Sequence, residues 1–289
     1  MKITKAVIPA AGFGTRFLPF TRAVPKEMIP LVDKPVIQYV VEEAAAAGIT
    51  DILIVVSAGK EAIQEHFIPA GPLETRLAEK GKTAELEQLK AIDRLARIHY
   101  VYQQELNGLG DAVAQAAWFV GNDPFAVLLG DTVLDSRVKP VTAQLCDAFE
   151  RVQSPVVALE EVPAEKVSRY GIAGLAESDG TLHRLATLVE KPSPENAPSR
   201  LAIASRYVFT PDIFAELEHT PRGKGGEIQL TDAMKSLLTK RPMYGLQFDG
   251  RRYDIGNKLE FLKSTVEFGL RRPEFREAFA AYLRQIVKD

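Results

Sequence analysis

The sequence predicts an α/β protein with a Rossmann-like mixed, mainly parallel central sheet flanked by helices, joined to a smaller α+β half. Three observations support this class. Apolar runs of strand length alternate with segments of helical periodicity along the first half of the chain. Residues 52–56 and 125–129 are apolar throughout, as in parallel strands that are buried on both faces. Beyond about Tyr170, strand-like stretches follow one another between proline-rich turns.

The first half contains the alternation that predicts the parallel part of the sheet. Predicted strands cover residues 6–8, 52–56, 97–103, 125–129 and 155–159, and predicted helices cover 36–47, 111–120 and 140–152. Gly48 follows the first of these helices as a C-terminal cap. Residues 73–95 are highly charged with helical periodicity, which is typical of a solvated helical excursion. Strands that alternate with helices pair in parallel, because each connection crosses over the sheet.

The second half of the chain shows a different pattern of predicted elements. Predicted strands at 182–189 and 201–209 are separated by turns such as the proline-rich stretch 191–194, and predicted helices at 258–270 and 273–287 end the chain. These last helices carry apolar faces suited to closing the core or to a subunit contact. We therefore predict one domain over residues 1–289. Its first half covers about 1–152, its second half about 153–270, and a C-terminal helix lies within 271–289.

The composition argues against several classes of protein. Acidic and basic residues are interspersed and the net charge is −2, which disfavours nucleic acid or an anionic membrane as the main partner. The single Cys146 cannot form an internal disulfide, in keeping with a reducing cytosol. No apolar run approaches the ~20 residues that span a bilayer, and residues 1–9 lack the apolar centre of a signal peptide. We therefore expect a cytoplasmic protein with no membrane partner.

A glycine-rich loop directly follows the first predicted strand. Its small residues let the backbone approach a polyphosphate closely, and successive N–H groups can form an anion-binding nest. Arg16 adds a planar guanidinium suited to phosphate oxygens. A dinucleotide fingerprint would need a third glycine where Phe17 stands, and the Gly-Lys-Thr run at 81–83 lacks the earlier glycine of a P-loop. The loop therefore indicates another kind of phosphate site, with candidate residues Ala10, Ala11, Gly12, Gly14, Thr15 and Arg16.

Two further candidates lie outside this loop. Prolines at positions 25, 30 and 35 predict an extended, non-helical course, which holds Lys26 near the glycine-rich loop. Asp131 follows the predicted strand 125–129, and open α/β sheets bind ligands at the carboxyl ends of their strands. Because Mg²⁺ takes few protein carboxylates and completes its coordination with phosphates and water, one such aspartate is a candidate metal ligand.

Several blocks of the sequence resemble the motifs of a known enzyme family. Gly12-x-Gly14-Thr15-Arg16, followed by Pro25-Lys26-Glu27-Met28, resembles the signature of sugar-nucleotide pyrophosphorylases. The run from Leu31 to Val40 is similar to that of bacterial UTP–glucose-1-phosphate uridylyltransferases, or UDP-glucose pyrophosphorylases. Further matching blocks follow in the same order at residues 108–113, 189–192, 226–232 and 254–258. The blocks cover about residues 5–270, and their shared order is more specific than any one of them.

The resemblance implies a fold of the nucleotide-diphospho-sugar transferase type, with a nucleotide-binding first half and a sugar-phosphate second half. It implies a Mg²⁺-dependent reaction in which glucose 1-phosphate attacks the α-phosphate of UTP in line and pyrophosphate leaves. Catalytic roles fall on Arg16, Lys26 and Lys191, nucleotide contacts on residues 10–15 of the loop with Gln103 and Gly108, and sugar contacts on Gly171, Glu190 and Lys191. Asp131 and Asp254 are the implied metal ligands, and a homo-tetramer or homo-dimer is the implied assembly.

Several alternatives stay open at this stage. The same scaffold would serve another nucleotide or hexose 1-phosphate, such as dTTP, and a non-catalytic paralogue would bind a sugar nucleotide without turnover. A glycosyltransferase is disfavoured, because Asp131-x-x-x-Asp135 is not a DxD motif. Two positions depart from the pattern of the relatives. Asp111 stands where many carry histidine, and Thr132 stands where other branches carry an acid or an amide.

Overall fold

The computed structural model describes residues 2–287, except the side chain of Lys224. Its strands are β1 (Lys5–Pro9), β2 (Pro30–Leu31), β3 (Lys34–Pro35), β4 (Asp51–Val56), β5 (Arg97–Tyr102), β6 (Phe125–Leu128), β7 (Thr132–Asp135), β8 (Val156–Glu161), β9 (Gly171–Asp179), β10 (Leu182–Glu190), β11 (Leu201–Phe209), β12 (Tyr244–Gln247) and β13 (Arg251–Asp254). Its helices are α1 (Val36–Ala46), α2 (Glu61–His66), α3 (Gly71–Glu79), α4 (Thr83–Asp93), α5 (Leu109–Ala114), α6 (Ala117–Val120), α7 (Val141–Val152), α8 (Ile213–His219), α9 (Leu230–Leu238), α10 (Lys258–Leu270) and α11 (Arg276–Ile286).

A nine-stranded sheet in the order β5-β4-β1-β6-β11-β8-β12-β10-β9 runs through both halves of the described chain. Strands β5, β4, β1 and β6 pair in parallel, as do β8 and β12. The antiparallel pairs within this nine-stranded sheet all involve β10 or β11. Strands β9 and β10 form a hairpin closed by Gly180-Thr181, and so short a connection permits only antiparallel pairing. The sheet is therefore mixed as predicted, but the prediction that it is mainly parallel was wrong, because in the described chain β10 and β11 add five antiparallel pairings to the four parallel ones.

Helices cover both faces of this sheet. Ile8 and Ile54 pack on one face with helices α1 and α7, whereas Val7 and Val55 pack on the other with α5, α8 and α9. Successive strand side chains point to opposite faces, so two covered faces require apolar residues at every position. Each such side chain contributes about 1.5–3 kcal/mol when fully buried. The continuous apolar runs of the sequence follow from this requirement.

A two-stranded sheet of β7 and β13 lies just beyond the carboxyl end of β6. Its register sets Asp254 opposite Thr132, the neighbour of Asp131. Val133 and Tyr253 from these strands are buried with Phe268 of helix α10 in a third apolar cluster. The four-residue strands were not predicted from the sequence, because each is too short for periodicity to identify it.

Most of the predicted elements are present, with three differences. The predicted helix 111–120 is divided into α5 and α6, and the charged stretch 73–95 is divided into α3 and α4 at Gly81, whose φ is +67°. The prediction that residues 25–35 are non-helical was wrong at Lys26–Met28, which form a 3₁₀ turn closed by Met28 N donating to Pro25 O at 2.9 Å. Proline is compatible with the start of such a turn, where its missing N–H is not needed.

The C-terminal helix prediction of 273–287 is met by α11, and residues 288 and 289 lie outside the described part. Among residues 2–287, no helix has both the length and the apolar character required to cross a bilayer.

Candidate active site

The glycine-rich loop begins where β1 ends and lies against the carboxyl end of β4. Ala10 N donates to Val55 O at 2.8 Å, and Ser57 Oγ donates to Ala11 O at 2.7 Å. Gly14 has a φ of +67°, and a Cβ there would lie 2.9 Å from Cβ of Lys26. Only glycine satisfies both the conformation and the close approach. The loop therefore packs directly on the segment that carries Lys26.

Lys26 and Asp131 form the centre of the site. Lys26 Nζ lies 2.5 Å from Asp131 Oδ2, which joins the proline-rich segment to the carboxyl end of β6. Burial alone would lower the pKa of Lys26, but the charges of Asp131 and Glu27 outweigh it and raise this pKa. Burial alone would raise the pKa of Asp131, but the charge and hydrogen bond of Lys26 hold it below its ordinary value. The pair is ionised on both sides at neutral pH.

Asp254 and Arg16 lie close to Asp131, around Gly256. Gly256 N donates to Asp254 Oδ1 at 3.0 Å, and the hydroxyl of Tyr170 donates to Oδ2 at 3.4 Å, so both carboxylate oxygens are oriented. A Cβ built on Gly256 would lie 3.1 Å from Asp254 Oδ1, 3.6 Å from Asp131 Oδ2 and 3.7 Å from an Arg16 Nη. The absence of a side chain at this glycine leaves room for a small group among two carboxylates and a guanidinium.

Two openings meet at Lys26 and Asp131. One, of about 340 Å³, is lined by residues 14–17 of the glycine-rich loop region and by Gly256. The other, of about 480 Å³, extends from Gly12 to Gln103 and Gly108 beside the start of α5. A charged end continuous with a larger, partly apolar chamber has the form expected of a nucleotide site.

Gln103 and Gly108 lie together at the far end of the larger opening. The Gln103 side chain is nearly buried, and its Nε2 donates to Gly108 O at 3.2 Å and to Asp111 Oδ2 at 2.6 Å. Gly108 has a φ of +107°, and a Cβ there would lie 2.7 Å from Cβ of Glu227. The larger opening thus connects the predicted base-reading residues with the glycine-rich loop and Asp131.

The predicted sugar residues form a second cluster. Glu190 Oε2 accepts from Thr231 Oγ1 at 2.6 Å, and Glu190 Oε1 lies 3.1 Å from Lys191 Nζ. A Cβ on Gly171 would lie 2.9 Å from Thr231 Oγ1 and 3.3 Å from Glu190 Oε2. The linings of the two openings, drawn from the described residues, do not include Lys191. That Lys191 contacts the same substrate as Arg16 and Lys26 therefore stays a prediction.

One buried pair at the site was missed by sequence reasoning. Glu27 is 1% exposed and its Oε2 accepts from Lys60 Nζ at 2.8 Å. Its Oε1 lies 3.8 Å from Lys26 Nζ and has no hydrogen-bond partner among the described residues. Burial raises the pKa of Glu27 and lowers that of Lys60. Lys60 lies just beyond the carboxyl end of β4, so the rule that pointed to Asp131 would also have identified it.

The site offers few ligands for a metal. In the part of the chain that is described, no group of three or more histidine, cysteine, aspartate or glutamate side chains is arranged to hold an ion. Asp131 and Asp254 are the pair of carboxylates that face the space beside Gly256. Two oriented carboxylates beside the glycine-rich loop suit a hard cation that takes its other ligands from phosphates and water.

Comparisons with known proteins agree with this arrangement. The sequence profile described as nucleotidyl transferase matches residues 5–268. The UTP–glucose-1-phosphate uridylyltransferase YngB of Bacillus subtilis (strain 168) is 50% identical over 287 residues, which are 99% of this chain and 96% of the relative. A UTP-bound UGPase from Acinetobacter baumannii has a TM-score of 0.90 at 36% identity, covering 97% of this chain and 98% of that one. A UDP-glucose pyrophosphorylase complexed with UDP-glucose has a TM-score of 0.86 at 38% identity, covering 93% of this chain and 100% of that one. The motif resemblance is thereby confirmed, and the chain belongs to the nucleotidyl transferase family.

Proposed function

We propose that this protein transfers a uridylyl group from UTP to glucose 1-phosphate, forming UDP-glucose and pyrophosphate. The observation that carries the proposal is the convergence of Arg16, Lys26, Asp131 and Asp254 beside the glycine-rich loop. The names of the relatives specify the substrates. The opening between this charged group and Gln103 has the volume and lining to take a nucleotide.

The protein's contribution to such a reaction is alignment and charge neutralisation. Phosphoryl-type transfer requires little covalent chemistry from side chains, and the negative charge on the equatorial oxygens must be stabilised. The loop N–H groups bind the triphosphate, while Arg16 and Lys26 place positive charge beside it. The pairing of Lys26 with Asp131 holds the ammonium in place before any ligand arrives.

Asp131 and Asp254 are the residues that would hold Mg²⁺. When bound, the ion supplies Lewis-acid neutralisation of phosphate charge and a template for in-line geometry. The orientation of Asp254 by Tyr170 and by Gly256 N prepares that carboxylate for a ligand, either directly or through water. Lys26 keeps Asp131 ionised, which any cation site requires.

The second cluster supplies the sugar half of the proposal. Glu190 accepts hydrogen bonds from sugar hydroxyls, Gly171 gives the sugar room, and Lys191 meets the 1-phosphate. Thr231 holds Glu190 in position. We assign residues up to about 152 to nucleotide binding and residues 153–270 to the sugar phosphate. The continuous sheet supports their treatment as one domain with a C-terminal helical extension.

The test is pyrophosphate release with four nucleoside triphosphates against several hexose 1-phosphates, scored by kcat/KM with and without Mg²⁺. Highest turnover with UTP and glucose 1-phosphate is expected. A preference for dTTP or another sugar would move the assignment to that specificity. Binding of UDP-glucose without turnover in Mg²⁺ would instead support the non-catalytic alternative.

Variants test the assigned roles. Lys26→Ala and Lys191→Ala should each lower kcat by roughly 10²–10³, because each removes a preorganised charge contact. The exposed Lys80 lies at the end of α3, and Lys80→Ala is the matched control. Full activity of both site variants, with unchanged folding by circular dichroism, would refute the roles.

The cytoplasmic location and the dimeric or tetrameric assembly stay predictions, and light scattering measures the assembly.

A further inference from the structure

The amide of Gln103 is held in one orientation by its surroundings. Nε2 carries two hydrogens, and the structure directs one to Gly108 O and the other to Asp111 Oδ2. A carbonyl and a carboxylate can only accept hydrogen bonds. Turning the amide over would set its oxygen against both of them. The donor side of Gln103 therefore faces the protein for a chemical reason.

The acceptor side faces the opening. Among the side chains that the structure describes, no donor reaches Gln103 Oε1, and this oxygen is not one of the buried polar atoms left without a partner. Gln103 lines the larger opening, so Oε1 is available to a ligand there. The backbone is fixed as well, because Gln103 N donates to Val56 O at 2.8 Å. The far end of the opening thus presents a positioned acceptor.

We propose that Asp111 is a specificity-determining residue, which orients the Gln103 amide so that the site selects pyrimidines with an N3–H donor. Uracil and thymine carry a hydrogen on N3, whereas N3 of cytosine is an acceptor and would face Gln103 Oε1 unfavourably. This inference rests on the proposed function, because it takes the opening to be the nucleotide site. Asp111 acts through Gln103 and is therefore a positioning residue.

Of the two hydrogen bonds that Gln103 Nε2 donates, the one to Asp111 is the shorter. The Asp111 side chain is itself held by a second contact. Gln115 Nε2 lies 3.4 Å from Asp111 Oδ1, so the carboxylate bridges two amides. Asp111→Asn keeps the size of the side chain but replaces one acceptor with a donor. The Gln103 amide can then turn over to accept from the new amide, opposed only by Gly108 O at 3.2 Å.

The experiment compares UTP, dTTP and CTP as substrates and as ligands in calorimetry, for the wild type and for Asp111→Asn and Asp111→Ala. The wild type should prefer UTP to CTP by about 10- to 100-fold, the usual cost of an unmade hydrogen bond to a positioned partner. Both variants should lower this preference by about tenfold, chiefly through KM. The UTP-to-dTTP ratio should not change, because both bases carry N3–H.

Gln115→Leu is the matched control, since it removes the weaker contact to Asp111 and leaves Gln103 untouched; it should keep the UTP-to-CTP ratio. An unchanged ratio in both Asp111 variants, with unfolding temperatures near that of the wild type, would overturn the inference while uridylyl transfer stands. A wild type that neither binds nor uses UTP would remove the proposed function, and this inference with it.

Discussion

A buried ion pair beneath the active site permits a quantitative prediction. Arg206 of β11 is 1% exposed, and its Nη2 lies 2.6 Å from Oε2 of Glu43 in helix α1. The same nitrogen donates to Thr132 O at 3.0 Å, beside Asp131. Thr142 donates to Glu43 through its backbone N and its hydroxyl. The pair thus connects the central sheet, two helices and the segment that follows β6.

Arg206→Met should lower the free energy of unfolding by about 3–5 kcal/mol, because it leaves the buried Glu43 carboxylate without its countercharge. That is a large share of the roughly 5–15 kcal/mol that stabilises a typical protein. Adding Glu43→Gln should restore part of the loss, since the amide carries no charge and still accepts from Thr142. Urea unfolding followed by circular dichroism measures both. Arg251→Met, which breaks the exposed pair with Glu267, should cost no more than about 1 kcal/mol.

The reasoning would be refuted by either of two results. One is an Arg206→Met protein within about 1 kcal/mol of the wild type, because a desolvated unpaired carboxylate must cost more than that. The other is a double variant whose loss equals the sum of the losses of Arg206→Met and of Glu43→Gln, each measured alone, since that result means the two side chains do not interact.

Three further predictions follow from the same structure. Gly171→Ala should raise KM for the sugar phosphate about tenfold and leave KM for UTP unchanged, because the new Cβ crowds Thr231 Oγ1; equal effects on both constants would contradict this. Asp254→Asn should raise the Mg²⁺ concentration for half-maximal turnover at least about tenfold, as measured by titration. Burial lowers the pKa of His66 in the folded protein, so the unfolded chain binds more protons than the folded protein does. Stability should therefore fall as pH drops below about 6.5, and His66→Gln should flatten that dependence in urea unfolding.

Several parts of the fold were accessible from the sequence because they depend on local pattern. The strands β4 and β6 were predicted from continuous apolar runs, since burial on both sheet faces leaves no position for a polar residue. The helices α1 and α10 were predicted to within a residue, because their periodicity is long and their ends are marked.

Other parts depended on pairing between distant segments. The antiparallel insertion of β11 between β6 and β8 brings together residues that are forty or more positions apart in the sequence, and no local pattern encodes such a choice. The strands β7 and β13 are stabilised by each other and by α10, so neither is recognisable alone.

The candidate site divides in the same way. The motifs pointed to Arg16 and Lys26, and the position after a predicted strand pointed to Asp131, because phosphate and metal binding favour particular residue types at particular points of the chain. The sequence did not reveal that Glu27 is buried in an ion pair with Lys60 or that Asp111 accepts a hydrogen bond from Gln103. Those contacts arise only when separate strands and helices are brought together.

Residue type and order thus established the family and the alternation of elements, and they predicted the charged residues of the candidate site. The three-dimensional packing decided the partner and orientation of each polar group. Hydrogen bonds and ion pairs act over about 3–4 Å, and only the folded chain sets side chains from distant positions at such distances.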